Sequence, residues 1–129
     1  MTRPRRHVRF VRSELQLRSA PGQCTAQVEL RGAANTYVGE AEDGCAGDPG
    51  LRCVAQATAR ALHPLGHGLE IEDVGTVEAL GRQAVVVRVR ARYEDDERTL
   101  HGFCVIQDNP ERAATLAVLN AVNRFLDIG

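Results

Sequence analysis

Two stretches of this chain say nearly the same thing. "TYVGEAEDGCAGDP" covers residues 36–49 and "TLHGFCVIQDNP" covers residues 99–110. Each opens on Thr, places Gly three residues later, and closes on Asp-Pro or Asn-Pro before an alanine-rich segment. An Asp or Asn followed by Pro is a helix start. The side-chain oxygen accepts a hydrogen bond from a free N–H of the first turn, and Pro fits the first helical position because its missing N–H has no partner there. Both stretches therefore read as a strand, a loop and a helix opening. Thr36, Gly39 and Asp48-Pro49 correspond to Thr99, Gly102 and Asn109-Pro110.

The residues before each copy extend the repeat. Residues 8–18 are β-rich, and "CTAQVELRG" sets Cys24, Ala26, Val28 and Leu30 against Thr25, Gln27, Glu29 and Arg31. That alternation is the period of a half-buried strand. In the second half, "LEIEDVGTVEAL" reads as a strand with a bulge or kink at Gly75. "QAVVVRVRARYE" sets Val85, Val87, Val89, Ala91 and Tyr93 against Arg88, Arg90 and Arg92, and "EDDER" reads as the hairpin loop that follows. The order strand-strand-strand-helix thus occurs twice, over 7–66 and 67–129, behind a basic tail at 1–6.

One such unit buries its sheet poorly alone, so two units sharing a core is the natural solution. A chain of 129 residues suffices for one domain and not for two ordinary ones. The expected fold is α+β and two-layer: two βββα units forming an antiparallel sheet with two helices packed on one face.

Hydrophobic residues make up 43% and charged residues 26%, a globular balance. The net charge of −1 gives no overall field to draw the molecule to nucleic acid or membrane. No apolar run approaches the ~20 residues of a membrane span, and no apolar h-region follows the basic start, so a cytoplasmic protein is expected. Cys24, Cys45, Cys53 and Cys104 show neither a CxxC pair nor zinc-ligand spacing. They read as small buried hydrophobes in a reducing compartment, with no disulfide, metal or cofactor.

Catalytic patterns are sparse. His63 and His67 are separated by Pro and Gly, which rules out the helical geometry of a ligand pair. His101 and Cys104 lie three apart in a strand and so point to opposite faces. "DGCAGDPG" has neither the GxGxxG spacing nor the Gly-Lys-Ser of a phosphate loop. The expected class is not an enzyme. The ladder Arg88, Arg90, Arg92 is the best basic feature and carries a nucleic-acid alternative. Base-stacking aromatics are few, and Glu29, Glu70 and Glu72 stand ready to pair with the ladder, so a charged solvent face is the preferred reading.

The final helix is apolar beyond one stripe. Ala114, Ala117, Val118, Ala121 and Phe125 form the expected core face, and Leu119, Val122 and Leu126 widen it past the roughly 100° arc of a surface helix. A second chain covering Leu119, Val122 and Leu126 is the expected reason, which makes the protein a homodimer.

Residues 25–127 resemble the C-terminal regulatory domain of 2-isopropylmalate synthases. The similar positions are "YVGEAEDG", the alanine-rich helix, Gly81-Arg82-Gln83-Ala84, Gly102, Asp108 and the closing "LNAVNR" at 119–124. The resemblance implies duplicated βββα units, dimerisation, and binding of a small feedback metabolite near the dimer seam. The candidate contacts are Gly39, Asp43, Gly44, Gly102, Gln107 and Asp108. From residue 48 onward the element order also matches the double-stranded-RNA-binding domain, but "NPERAA" offers Arg112 alone where that family clusters lysines. The expected function is a stand-alone homodimeric regulatory, sensor or interaction module that binds a small metabolite or a protein partner. The alternative is a purely structural self-assembling protein.

Overall fold

The computed structural model describes residues 9–17, 23–32, 35–44, 50–65, 68–93 and 95–128. Strands β1 (Arg9–Leu17), β2 (Gln23–Arg31) and β3 (Thr36–Gly44) precede helix α1 (Leu51–Ala61). Strands β4 (Gly68–Ala79), β5 (Arg82–Tyr93) and β6 (Asp96–Val105) precede helix α2 (Pro110–Ile128). The chain is α+β, with two similar βββα units. The strands form two antiparallel sheets of three, in the orders β1-β2-β3 (sheet A) and β4-β5-β6 (sheet B), rather than the single sheet expected.

The reason lies at β1 and β4. Each is an edge strand, and each meets the other unit's helix instead of another strand: β1 packs on α2, and β4 packs on α1. Each helix also lies on β2 and β3, or β5 and β6, of its own unit. The two helices contact each other and run between the sheets, so each sheet has one face against helices and one face outward. The alternations in β2 and β5 serve this directly. Val28 and Leu30, with Val85, Val87 and Val89, are fully buried, while Arg88, Arg90 and Arg92 are exposed.

The units match in detail. Val28 pairs with Gly39, and Val87 pairs with Gly102. A β carbon on Gly39 would strike the Ala57 carbonyl oxygen, and one on Gly102 would strike that of Ala117. The glycine shared by the two motifs is thus where a helix backbone lies directly on the sheet. Both edge strands carry a bulge at the equivalent place, between Phe10 and Arg12 and between Ile71 and Asp73. The irregularity expected at Gly75 sits at this bulge instead. The hairpin after β5 is tighter than "EDDER" suggested, since Tyr93 already pairs with Asp96.

The helix starts differ. Asn109 caps α2 as expected, its Oδ1 accepting from the Arg112 N–H at 2.7 Å. In α1 the capping residue is Gly50 in the left-handed region (φ 83°), with no side-chain cap, and Asp48-Pro49 lie outside the described residues. The basic tail at 1–6 lies outside them too.

The core departs from the sequence reading at α2 and at Cys24. Leu119 is 4% exposed and Val122 0% in the single chain. Sheet against sheet with helices between covers a helix on opposite sides, so Leu119 and Val122 are covered from within the single chain. The side chain of Leu126 lies outside the described residues. Cys24 is disulfide-bonded, against the all-thiol reading, and Cys45 lies outside the described residues. Cys53 and Cys104 form no disulfide. The Cys53 thiol is buried, with the Ala41 carbonyl oxygen 3.2 Å away as its acceptor.

Candidate functional site

With the apolar stripes of both helices buried, the two outward sheet faces remain open to a partner. Their residues can be compared one for one, because Val28–Gly39 and Val87–Gly102 fix the register. One row along, Glu14, Gln27 and Glu40 of sheet A stand where Gly75, Val86 and Phe103 stand in sheet B. Two residues further on, Thr25 and Glu42 stand where Ala84 and Val105 do. The same positions are polar and acidic in one unit and apolar in the other, where Ala84 is fully buried, Val86 and Val105 are half-buried and Phe103 is exposed.

The consequences for shape and surface are direct. In sheet A these residues line an open concavity of about 680 Å³, closed at its edge by Arg60. Arg60 Nη1 reaches round β3 to donate to the Glu40 carbonyl oxygen at 2.9 Å, and the Gln27 amide donates to the Glu40 carboxylate at 3.4 Å. In sheet B, Val77 joins the patch through its pairing with Ala84. Val77 and Phe103 are each 44% exposed, and neither packs against the core. The hairpin between β4 and β5 extends the apolar surface with Leu80, which is fully exposed.

Beyond this patch, sheet B is a lattice of ion pairs. Arg88 meets Asp73 at 3.9 Å, Arg90 meets Glu72 and Glu97 at 3.2 Å each, and Arg92 meets Glu97 at 3.2 Å. The arginine ladder is therefore balanced by its own sheet, which removes the unpaired positive track that the nucleic-acid alternative needs. Glu72 was the partner legible in sequence. Asp73 and Glu97 become partners only through the bulge and the tight hairpin. Glu29 instead pairs with Arg12 at 3.5 Å, at the position equivalent to Arg88–Asp73 with the charges exchanged.

The expected metabolite contacts do not come together. Gly39 and Gly102 are buried beneath the helices, where even a methyl group has no room. Asp43 and Gly44 pair with Cys24 and Gln23 at the end of β3, and beyond that pairing lie outside the described residues. Gln107 and Asp108 do line a cavity, together with Cys104, Asn109 and Arg112, but its volume is about 190 Å³. Ligand pockets usually begin at about 300 Å³. Asp108 is held by Arg112 Nη1 at 3.3 Å, and the Arg112 guanidinium lies 5.6 Å from the centre of the Phe10 ring. Burial pushes the Cys104 thiol upward in pKa, and the Arg112 charge partly offsets that.

Among the described residues no group of His, Cys, Asp and Glu is placed to hold a metal ion, and no helix is long and apolar enough to cross a membrane. No protein-family profile matches the chain, and no match to it is found among curated proteins. The apolar end of sheet B was missed in sequence because Val77, Val86, Phe103 and Val105 sit in three different strands. Phe103 two residues from Val105 in a strand was the available signal, and it reads as core until the facing side is known.

Proposed function

We propose that this chain is an interaction module of the regulatory kind, which works by burying the outer apolar end of sheet B against a protein surface. One observation carries the reading. Two units with the same strand order, the same bulge and the same helix-contacting glycine present opposite chemistry at equivalent outward positions. Sheet A is an internal control: polar side chains at these positions are compatible with the fold. Val77 and Phe103, the exposed members of the apolar set in sheet B, therefore serve something other than folding, and an exposed apolar patch on a sheet is an association surface. The resemblance of residues 25–127 to a metabolic enzyme's regulatory domain supports the regulatory half of the proposal.

The test transplants the control. In the variant V86Q/F103E the patch takes the residues of Gln27 and Glu40. The expected result is a folded protein whose unfolding free energy stays within about 1 kcal/mol of wild type, the span of strand preferences. A loss of several kcal/mol in denaturant unfolding shows that the patch belongs to the core, and ends the proposal.

A further inference from the structure

Taking the outer apolar end of sheet B as an association surface, we infer that its partner is an extended peptide strand of another protein, added antiparallel to the edge of β6. β6 is an edge strand. It pairs with β5 residue for residue from Asp96 to Val105, without the bulge that interrupts the edges β1 and β4. The Phe103 N–H turns away from β5 and donates to Asn120 Oδ1 at 3.1 Å. Alternation along an antiparallel strand then turns the N–H and C=O groups of Thr99, His101, Phe103 and Val105 to that same outer edge. A regular row of this kind is a template for another strand, and natural sheets guard it with charge, bulges or cover.

The first unit carries such a guard and the second does not. Gly39 lies under Ala57 and Gly102 under Ala117, which sets Gln56 and Arg60 of α1 at the places of Leu116 and Asn120 in α2. On β3, whose register is equally regular, Arg60 holds the edge carbonyl of Glu40 at 2.9 Å, and Glu40 and Glu42 put charge on the outer side. On β6, Phe103 and Val105 replace those glutamates, the neutral Asn120 replaces Arg60, and the half-buried Leu116 replaces Gln56. The edge of β6 is thus apolar on both sides at one level. The cavity of about 190 Å³ lies here, between β6 and α2, with Cys104, Ala113 and Leu116 as its apolar wall. It is small for a metabolite and offers room to a single side chain. A strand laid on β6, about 4.8 Å out, turns the side chain opposite Cys104 towards this cavity. The side chains opposite Phe103 and Val105 extend the outer apolar patch. Main-chain bonds supply the affinity, and the one inward side chain supplies the choice of partner.

The probe is the end-blocked synthetic peptide TAVXVAT, which reads the same in either direction, with X as Gly or Leu. Titration of the full, isotope-labelled chain, followed by amide chemical shifts, is expected to move His101, Phe103 and Val105 and to leave Val38, Glu40 and Glu42 of β3 in place. Leu at X should bind about tenfold more tightly than Gly, the worth of one buried aliphatic side chain. N-methylation of both valines removes the N–H groups that face β6 and should abolish binding. The variant L116Q/N120R carries the guard of the first unit, and it should keep the wild-type circular dichroism and lose the peptide. No binding of the Leu peptide at millimolar concentration, unchanged binding after N-methylation, or equal shifts along β3 overturns strand addition. Amides of β6 that move with protein concentration alone assign the edge to a second copy and overturn it too. The stability of V86Q/F103E, measured separately, decides the association-surface reading on its own, so the two failures are distinguishable.

Discussion

Thr58 and Thr115 meet hydroxyl to hydroxyl at 3.2 Å where the two helices touch, and both are fully buried. They join the two units at the centre of the molecule. Thr58 Oγ1 also lies 2.8 Å from the Val54 carbonyl oxygen. One hydroxyl has one proton, so with Thr58 donating to Val54, Thr115 donates to Thr58. The pair is therefore asymmetric. Thr115→Val keeps the shape and leaves Thr58 satisfied by its own helix, at a cost of about 1 kcal/mol or less. Thr58→Val leaves the Thr115 hydroxyl buried without its acceptor, at about 1–3 kcal/mol. Urea unfolding of the two variants should rank them in that order. Equal losses would show that Thr115 finds another acceptor.

Gly39 and Gly102 make a second pair of equivalents. The atoms that a β carbon would meet are helix backbone, which cannot swing aside as a side-chain end can. Gly39→Ala and Gly102→Ala should each cost at least the 1–3 kcal/mol typical of an overpacked core. Gly75, the equivalent of Glu14 on the outer face, has nothing within 4 Å of a new β carbon and no left-handed φ. Gly75→Ala should leave the melting temperature unchanged or raise it slightly, since it restricts only the unfolded chain.

How much of this was legible beforehand follows the same line. The βββα repeat, the Asn109 cap and the inward sets of β2 and β5 rest on local patterns, period 2 in strands and cap chemistry before helices, and these are carried by neighbours in sequence. The Gly39–Gly102 equivalence was readable as a match but not as a role. A buried glycine under a helix and a glycine lining a ligand site look alike until the helix is placed. The division into two sheets and the enclosure of α2 depend on which helix covers β1 and β4, a contact between units that no local pattern encodes. For the same reason Leu119 and Val122 read as an unpartnered flank. The divergence of the outer faces needed the register, because a one-residue slip would exchange the inward and outward sets.

Leu80 holds a left-handed backbone, φ 51°, followed by Gly81 at φ 80°. Positive φ at both central residues is the two-residue hairpin turn that favours Asn-Gly, because a branched apolar side chain crowds its own backbone there. Leu80 is fully exposed, so no burial offsets the strain. Leu80→Asn should therefore stabilise the monomer by about 1 kcal/mol, seen as a higher midpoint in denaturant. A lower midpoint would mean that the Leu80 side chain is covered in solution.

The disulfide at Cys24 sets a redox dependence. Cys24 is 1% exposed, inside sheet A. A cross-link of this kind commonly contributes about 2–4 kcal/mol by restricting the unfolded chain. Unfolding under reductant should therefore occur at a clearly lower denaturant concentration than without it. Alkylation of the unreduced, unfolded chain followed by peptide mapping should label Cys53 and Cys104 and spare Cys24. Labelling of Cys24 before reduction would show that the bond does not form in the purified protein.

Cys104 and Arg112 give a prediction in pH. Cys104 is half-buried beside the start of α2, and burial holds its thiol above the ordinary range while the Arg112 cation pulls it back down. The thiolate is the reactive form. In the folded protein Cys104 should then react with iodoacetamide more slowly than a free thiol at the same pH, with a rate profile displaced to higher pH. Arg112→Gln removes the offsetting charge and leaves the burial. The midpoint of the profile should move further up, and the rate at a fixed pH near 8 should fall. Arg112 also lies over the Phe10 ring and holds Asp108, so the variant could loosen the site and admit more reagent. The two effects separate in the profile: looser access raises the high-pH plateau, whereas the lost charge shifts the midpoint. A midpoint that stays in place would show that Arg112 does not act on the thiol.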